Sequence, residues 1–328
     1  MKRAIKFICF TLLSIIIVIL LTVTSLFYIF PLFEHGPSGK VTGSNNWMKD
    51  LNDEMLISEV VLPGSHDTGA INCDLAYFAK CQSLSVLEQL EAGFRYLDIR
   101  LDITDDGKLC LMHGFIHCRK RNFPTSKYLY LEDVLNDCYT FLDNNPTECL
   151  VFAIKSEGDN SIDDLNALLM EQVLANEKYW LETSDIPKVK DLRGKILLLT
   201  RYSNRLESQK YGLYFNWSDQ GNTRETTKHI EENNNDLFYL YVQDRYKYDI
   251  FDKLEAFLNC INYEIEHTNY IKLSFLSTNG NVTYGHPYKY AKQLNKILID
   301  DDIKLNGWVI VDFCSPKLAE RIYQENFK

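Results

Sequence analysis

The sequence predicts an α/β protein: an irregular (β/α)8 TIM-type barrel preceded by one N-terminal transmembrane helix. Eight short apolar runs, rich in β-branched residues, recur along the chain, and most are separated by stretches with helical spacing. Seven of the eight deliver a charged residue or a histidine at their C-terminal side, the face at which a parallel barrel gathers its chemistry. A doubly wound open sheet would concentrate such residues at a single crevice. The chain is organised around Val60–Gly69, where a β-branched run stops at Pro63-Gly64 and hands over Ser65, His66, Asp67 and Thr68. Alone, that is a polar turn; it gains weight because the arrangement repeats.

The N-terminal span is the first element. Phe7 to Phe33 carries no charge and exceeds the roughly 20 residues needed to cross a bilayer. Lys2, Arg3 and Lys6 precede it and Glu34 follows, which keeps residues 1–6 cytoplasmic and puts the body outside. A cleaved signal peptide, and hence secretion, is the alternative. Its apolar core would be about 7–15 residues, and Thr22-Val23-Thr24-Ser25 is a poor cleavage site, so an uncleaved signal-anchor at 7–33 is preferred. Residues 34–46, rich in Gly and Ser, read as a flexible linker, and residues 47–328 as the folded body.

That body takes up most of the 328 residues, whose 46% hydrophobic content suffices for a large core. A net charge of −10 argues against nucleic acid, which needs a basic face. Cys9 lies in the apolar span, and an exported body permits disulfides among the other eight cysteines; Cys73–Cys81 and Cys110–Cys118 are the nearest pairs. No clustered Cys-x-x-Cys points to zinc.

The remaining elements follow in order. Ser85-x-x-Glu88 is a capping box opening a helix that Gly93 ends. The strand Phe94–Arg100 comes next and carries Asp98 and Arg100; Lys108–Met112 delivers His113 and looks hairpin-like with it. Leu131, Val134, Leu135, Cys138 and Leu142 recur at helical spacing until Asn145-Pro146. Cys149–Ile154 delivers Lys155 and Glu157, Lys195–Leu199 delivers Arg201, and Leu237–Val242 delivers Asp244 and Tyr246. Tyr270–Phe275 leads to a polar loop, and Trp308–Val311 delivers Asp312.

At the barrel mouth these residues make a recognisable set: His66 and His113, the carboxylates Asp67, Asp98, Asp244, Asp312 and Glu157, and the cations Arg100, Lys155 and Arg201. Two histidines beside carboxylates suit acid–base chemistry near neutral pH, and an arginine suits a bidentate hold on phosphate. The combination points to phosphodiester cleavage in which the substrate supplies its own nucleophile.

The stretches Leu62–Gly69, Tyr96–Arg100, Met112–Gly114, Asp191–Lys195, Thr200–Ser203, Val242–Tyr246 and Gly307–Asp312 resemble, in order, bacterial phosphatidylinositol-specific phospholipase C, from about Trp47 to the C-terminus. The resemblance implies a distorted (β/α)8 barrel. It also implies cleavage of phosphatidylinositol, or a glycosylphosphatidylinositol, to diacylglycerol and inositol 1,2-cyclic phosphate, which is then slowly hydrolysed. By the same resemblance His66 is the general base, oriented by Asp312, and His113 is the general acid with Asp67 behind it. Arg100 holds the phosphate beside Asp98. Lys155, Arg201 and Asp244 contact inositol hydroxyls, Tyr246 stacks on the ring and Glu157 supports them. No metal or other cofactor is expected; the partner is a membrane surface bearing the lipid, and the chain is expected to be a monomer.

The sequence departs from that pattern in places. The segment from Gly69 to Gln82 is shorter than in the secreted bacillus enzymes, and Leu75, Tyr77 and Phe78 are its candidate membrane contacts, with Tyr284 a second aromatic. Arg119-Lys120-Arg121 is a basic run suited to anionic lipid, with a solvated loop as its ordinary reading. His35, His117, His229, His267 and His286 receive no role. A calcium-dependent phosphodiesterase of the same fold is one rival, disfavoured because a cation, Arg100, stands where calcium-using relatives place an acidic ligand. A catalytically inactive inositol-binding module is the other, disfavoured because neither histidine nor Arg100 has been lost.

Overall fold

A computed structural model describes residues 2–123, 125–202, 210–221, 231–234, 238–266 and 269–328. Among the described residues eleven strands form one sheet: β1 (Leu62–Ser65), β2 (Tyr96–Ile103), β3 (Leu109–His113), β4 (Ile116–His117), β5 (Leu150–Ser156), β6 (Ile196–Thr200), β7 (Leu213–Tyr214), β8 (Glu231–Asn234), β9 (Tyr239–Gln243), β10 (Tyr270–Phe275) and β11 (Trp308–Val311). Along the path β7-β6-β5-β2-β1-β11-β10-β9 every neighbouring pair is parallel. The result is a curled parallel sheet whose ends, among the described residues, are β7 and the antiparallel strand β8.

One of the eight expected strands needs correction. Lys108–Met112 forms the hairpin expected with the strand before it and so is not one of the parallel set: Gly107, with φ at 73°, turns the chain back and β3 runs antiparallel to β2. Its place in the parallel series belongs instead to the two-residue β7, which lies between the fifth and sixth runs of the sequence.

Helices join the strands as the apolar spacing requires. The N-terminal helix α1 (Lys2–Thr24) is followed by α2 (Ala76–Ala79), α3 (Val86–Glu91), α4 (Leu131–Asn144), α5 (Ile162–Ala175), α6 (Val189–Leu192), α7 (Ile250–Ile261), α8 (Pro287–Asp300) and α9 (Pro316–Tyr323). The Ser85 hydroxyl accepts from the Glu88 amide while Glu88 accepts from the Ser85 amide, the capping box expected at α3. α4 buries Leu131, Val134, Leu135, Cys138 and Leu142 on one face and stops at Asn145. At the N-terminal end of the sheet, Arg95 and Glu148 form a fully buried ion pair at 2.8 Å, and Arg95 also donates to the carbonyls of Leu90, Phe94, Ser44 and Asn45.

Lys2–Phe33 is long and apolar enough to cross a membrane, with mean hydropathy 2.8 over an 18-residue stretch of it, and α1 buries none of its residues. The segment expected as a flexible linker instead lies along the body. Glu34 is buried and pairs with His286 at 2.6 Å, and the Ser44 hydroxyl meets the Tyr323 hydroxyl at 3.2 Å. A Cβ on Gly36 would come within 2.2 Å of the Phe313 carbonyl, so that glycine serves close packing rather than freedom.

All nine cysteines are free thiols, and neither expected pair is juxtaposed. Cys73 faces Cys118 across an antiparallel bridge, Cys81 lies by the catalytic candidates, and Cys110 bridges Tyr130. The basic run is largely spent on ion pairs: Arg119 forks onto Asp74 at 2.6 and 2.7 Å, and Lys120 holds Asp133 at 2.7 Å.

Candidate active site

Strand ends bring the charged candidates together. His66 and Asp67 follow β1, Asp98 and Arg100 project from one face of β2, and His113 ends β3. Lys155 and Glu157 lie at the end of β5, while Arg201, Asp244 and Asp312 stand just past β6, β9 and β11. His66, Arg100, His113, Lys155, Glu157, Arg201, Asp244, Tyr246 and Asp312 all line one cleft of about 480 Å³, with Phe78 and Tyr284 at its wall. Asp67 and Phe313 adopt left-handed backbone, φ 41° and 52°, on either side of the site. Such strain persists only where surrounding bonds hold it. Here the amide of Asp67 donates to Asp98, that of Thr68 to the Asp98 carbonyl, and that of Phe313 to the Cys81 carbonyl.

His66 is fixed from both sides. Its Nδ1 lies 2.8 Å from Asp312 Oδ1, and its Nε2 lies 2.9 Å from an Arg100 nitrogen and 3.3 Å from Asp67 Oδ2. Arginine only donates, so the Arg100 contact belongs to the neutral ring, with Nδ1–H on Asp312 and Nε2 accepting. When Nε2 is protonated its partner is Asp67. Burial alone pulls the ring's pKa down; the charges of Asp312 and Asp67 and the Asp312 hydrogen bond outweigh it and raise it from 6.5 to about 9, with Arg100 opposing them. The ring is therefore a strong proton acceptor whose accepting atom faces the cleft.

Asp67 needs a correction of place. It does not stand behind His113, whose Nδ1 meets the Ala79 carbonyl at 2.8 Å. Asp67 Oδ2 lies on the other side, 3.5 Å from His113 Nε2 and 3.3 Å from His66 Nε2, while its Oδ1 is 3.0 Å from Arg100 Nε. One carboxylate thus spans both histidines and the arginine. Arg100 also reaches Asp98 at 3.2 Å and Glu157 at 2.9 Å, and Glu157 holds Lys155 at 2.7 Å. Burial pushes the pKa of Asp98 and Glu157 up, but Arg100, with His66 for Asp98 and Lys155 for Glu157, overrides it and holds both near 2. Both stay ionised.

The far wall combines charged and aromatic side chains. Arg201 lies 3.5 Å over the Trp217 ring, and its buried Nε has no hydrogen-bond partner among the described residues. Trp217 Nε1 donates to Asp244 at 3.0 Å, and the Tyr246 hydroxyl donates to Asp219 at 3.0 Å.

Sequence reasoning missed Trp217, Cys81 and Gln82. Gln82 donates to the carbonyls of His66 and Val311 and accepts from the Cys314 amide, so it ties β1 to β11 and fixes His66 against Asp312. The aromatic cluster Tyr214-Phe215-Asn216-Trp217 was the available signal for Trp217. Cys81 is held well above the ordinary thiol pKa by burial, then by Asp312 and Asp67, so it is no thiolate nucleophile. Of the five histidines without a role, His229 and His267 lie outside the described residues; His117 stacks on Tyr128, His35 contacts the Gly36 carbonyl and His286 pairs with Glu34.

Among the described residues one group has atoms spaced for a metal, His66, Asp67 and Cys81, mutually within 4.8 Å. A calcium site needs six to eight oxygen ligands. This group offers one carboxylate, already in contact with Arg100, so the donor set does not fit that ion.

A family model for the phosphatidylinositol-specific phospholipase C X domain matches residues 60–202. The 1-phosphatidylinositol phosphodiesterase of Staphylococcus aureus strain Newman is 28% identical over 301 residues, 85% of this chain and 91% of that protein. The Listeria monocytogenes 1-phosphatidylinositol phosphodiesterase is 30% identical over 232 residues, 62% of this chain and 67% of that protein. A crystal structure of S. aureus phosphatidylinositol-specific phospholipase C superposes with TM-score 0.70 at 25% identity, covering 86% of this chain and 97% of that one. The chain belongs to the bacterial phosphatidylinositol-specific phospholipase C family.

Proposed function

We propose that this chain cleaves phosphatidylinositol, or its glycosylated form, to diacylglycerol and inositol 1,2-cyclic phosphate without a metal. The carrying observation is one carboxylate oxygen within 3.5 Å of the Nε2 atoms of both histidines, with Arg100 on its partner oxygen. A phosphate drawn to Arg100 enters between a base and an acid. His66 Nε2 takes the proton of the inositol 2-hydroxyl, whose oxygen attacks phosphorus, and Asp312 stabilises the imidazolium that forms. His113 Nε2–H gives its proton to the departing glycerol oxygen, with the Ala79 carbonyl holding the ring. In the second step the roles reverse: His113 takes a proton from water, and His66 returns one to the 2-oxygen.

The sugar is assigned to Lys155, Arg201 and Asp244, with Tyr246 stacked on its face and Glu157 holding Lys155 and Arg100 in place. Arg201's unpartnered Nε is a donor waiting for a hydroxyl. A cleft of about 480 Å³ suits a headgroup, leaving the acyl chains outside. Leu75, Tyr77, Phe78 and Tyr284 are the rim residues toward the bilayer. We read the curled sheet as an irregular (β/α)8 barrel spanning 47–328, in a monomer whose 7–33 segment anchors it with the body outside.

The test is phosphorus-31 NMR of phosphatidylinositol vesicles with the full chain in EDTA. A cyclic phosphodiester signal should appear first and decay slowly to the monoester. Monoester without the cyclic intermediate, or activity lost to EDTA and restored by calcium, would refute the reading.

A further inference from the structure

We infer that the catalytic mouth is fastened to the stem of the N-terminal helix, so that the enzyme draws its substrate from the same membrane leaflet it is anchored beside. This rests on the phospholipase reading above. Past Thr24 the helical stem does not lead away from the body; it folds onto the cleft rim. Phe27 packs on Phe78, ring centroids 5.9 Å apart, and Phe78 lines the cleft and touches Tyr284 at 6.1 Å. One ring therefore separates the stem from the site. The Tyr28 carbonyl accepts from Asn122 at 3.0 Å, and the Pro31 carbonyl accepts from the buried ammonium of Lys80.

Glu34 completes the fastening. It is 5% exposed and bonded to His286, whose ring stacks on Tyr77 at 4.1 Å. A buried acid paired with a partner 252 positions away is a poor swivel, because releasing it strands two polar groups. Around this junction the large apolar side chains are exposed together: Phe30, Leu32 and Phe33 on the stem, Phe115 and Tyr284 at the cleft, Phe123 beside Asn122. They are unsuited to water and suited to the interfacial zone that the stem enters. A rigidly held mouth sees its own leaflet at a fixed high local concentration and other membranes only by collision.

The full chain is reconstituted in vesicles and compared in two arrangements: phosphatidylinositol in the anchoring vesicles, or only in separate acceptor vesicles. The same-vesicle rate should exceed the other by tenfold or more and should not fall on dilution. Tyr284→Trp, in anchoring vesicles of brominated lipid, should show quenched emission relative to the unsubstituted chain. Glu34→Gln with Lys80→Met should reduce the same-vesicle advantage severalfold, leaving hydrolysis of soluble inositol 1,2-cyclic phosphate unchanged. Equal rates in both arrangements with an unquenched indole would overturn the inference while phospholipase activity stands. Quenching without any cleavage would instead uphold the orientation and reject the phospholipase reading.

Independently, the geometry points to a Cys73–Cys118 disulfide. The Asp74 amide donates to the His117 carbonyl and the Arg119 amide to the Asn72 carbonyl, which makes Cys73 and Cys118 a non-hydrogen-bonded antiparallel pair. That is the closer-spaced class, and the sulfurs are 3.8 Å apart. On folding in an oxidising compartment, the two thiols give two protons and two electrons to a disulfide oxidant, which leaves as two thiols, and the S–S bond forms. The crosslink ties the loop carrying Ala79, the carbonyl that orients His113, to β4. Full chain refolded in a glutathione redox buffer should lose two hydrogens in mass and give a peptide linking these cysteines; Cys73→Ser should free Cys118 for alkylation. Both sites alkylated in the refolded chain, or Cys73 linked elsewhere, would overturn it.

Discussion

Replacing Asp312 by asparagine should change two quantities in opposite senses. Asp312 Oδ1 lies 2.8 Å from His66 Nδ1, and its charge and hydrogen bond are the chief influences raising that ring from 6.5 to about 9. An opposite charge at about 4–6 Å moves a pKa by about 1–3 units, and this one is closer. Asp67 remains, so the ring should fall by about 2 units, leaving it near the ordinary histidine range. His66 works as the base only when Nε2 is unprotonated, so a lower pKa widens the active range downward. The acid limb of kcat/KM against pH should move by about 2 units toward acid. The plateau should nevertheless fall about 10²–10⁴-fold, because an amide that turns its NH₂ toward Nδ1 stabilises the tautomer with Nε2 already protonated. The assay is kcat/KM for cleavage of a soluble short-chain phosphatidylinositol from pH 5 to 10, the step in which His66 is the base. An unmoved acid limb would mean His66 is not the titrating base; a shift toward alkali would mean Asp312 does not hold it.

Arg100→Lys should reduce turnover of phosphatidylinositol by more than tenfold, since an ammonium cannot span Asp67, Asp98 and Glu157 while gripping a phosphate; a smaller loss would remove Arg100 from the phosphate. Glu148→Gln leaves Arg95 charged and fully buried without its counter-ion, and urea unfolding should show a loss of about 3 kcal/mol, the low end for breaking such a pair because four carbonyls remain. A loss below 1 kcal/mol would mean those carbonyls alone satisfy the guanidinium. Detergent-free membranes washed with carbonate should retain the full chain; recovery of a soluble form beginning near Ser25 would show cleavage.

Much of the site was legible because a parallel sheet turns sequence position into spatial position. Apart from Asp98 and Arg100, within β2, and His113, on antiparallel β3, the candidate residues sit at or just past the end of an apolar run, and the parallel strands put those ends on one side. Strand count was the weak point. The run Leu109–Met112, legible as a hairpin partner of the strand before it, runs antiparallel to β2 through the Gly107 turn and so drops out of the parallel set. β7, with two residues, is too short to show a period. The glycine-rich stretch after Glu34 read as freedom, whereas Gly36 is glycine because no side chain fits beneath Phe313. Asp67's place between the histidines, and Cys73 facing Cys118 rather than Cys81, are tertiary facts that no spacing encodes.

The division of labour between His66 and His113 is the central claim, and changing the leaving group tests it most directly. Diacylglycerol departs as an alkoxide that needs a proton; p-nitrophenol departs from the corresponding inositol phosphate ester as a stable anion. His113→Ala should therefore lose about 10²–10⁴ on the lipid and far less on the nitrophenyl ester, and it should lose the alkaline limb of the pH profile. His66→Ala should be crippled on both. Equal losses for the two variants on both substrates would contradict the assignment.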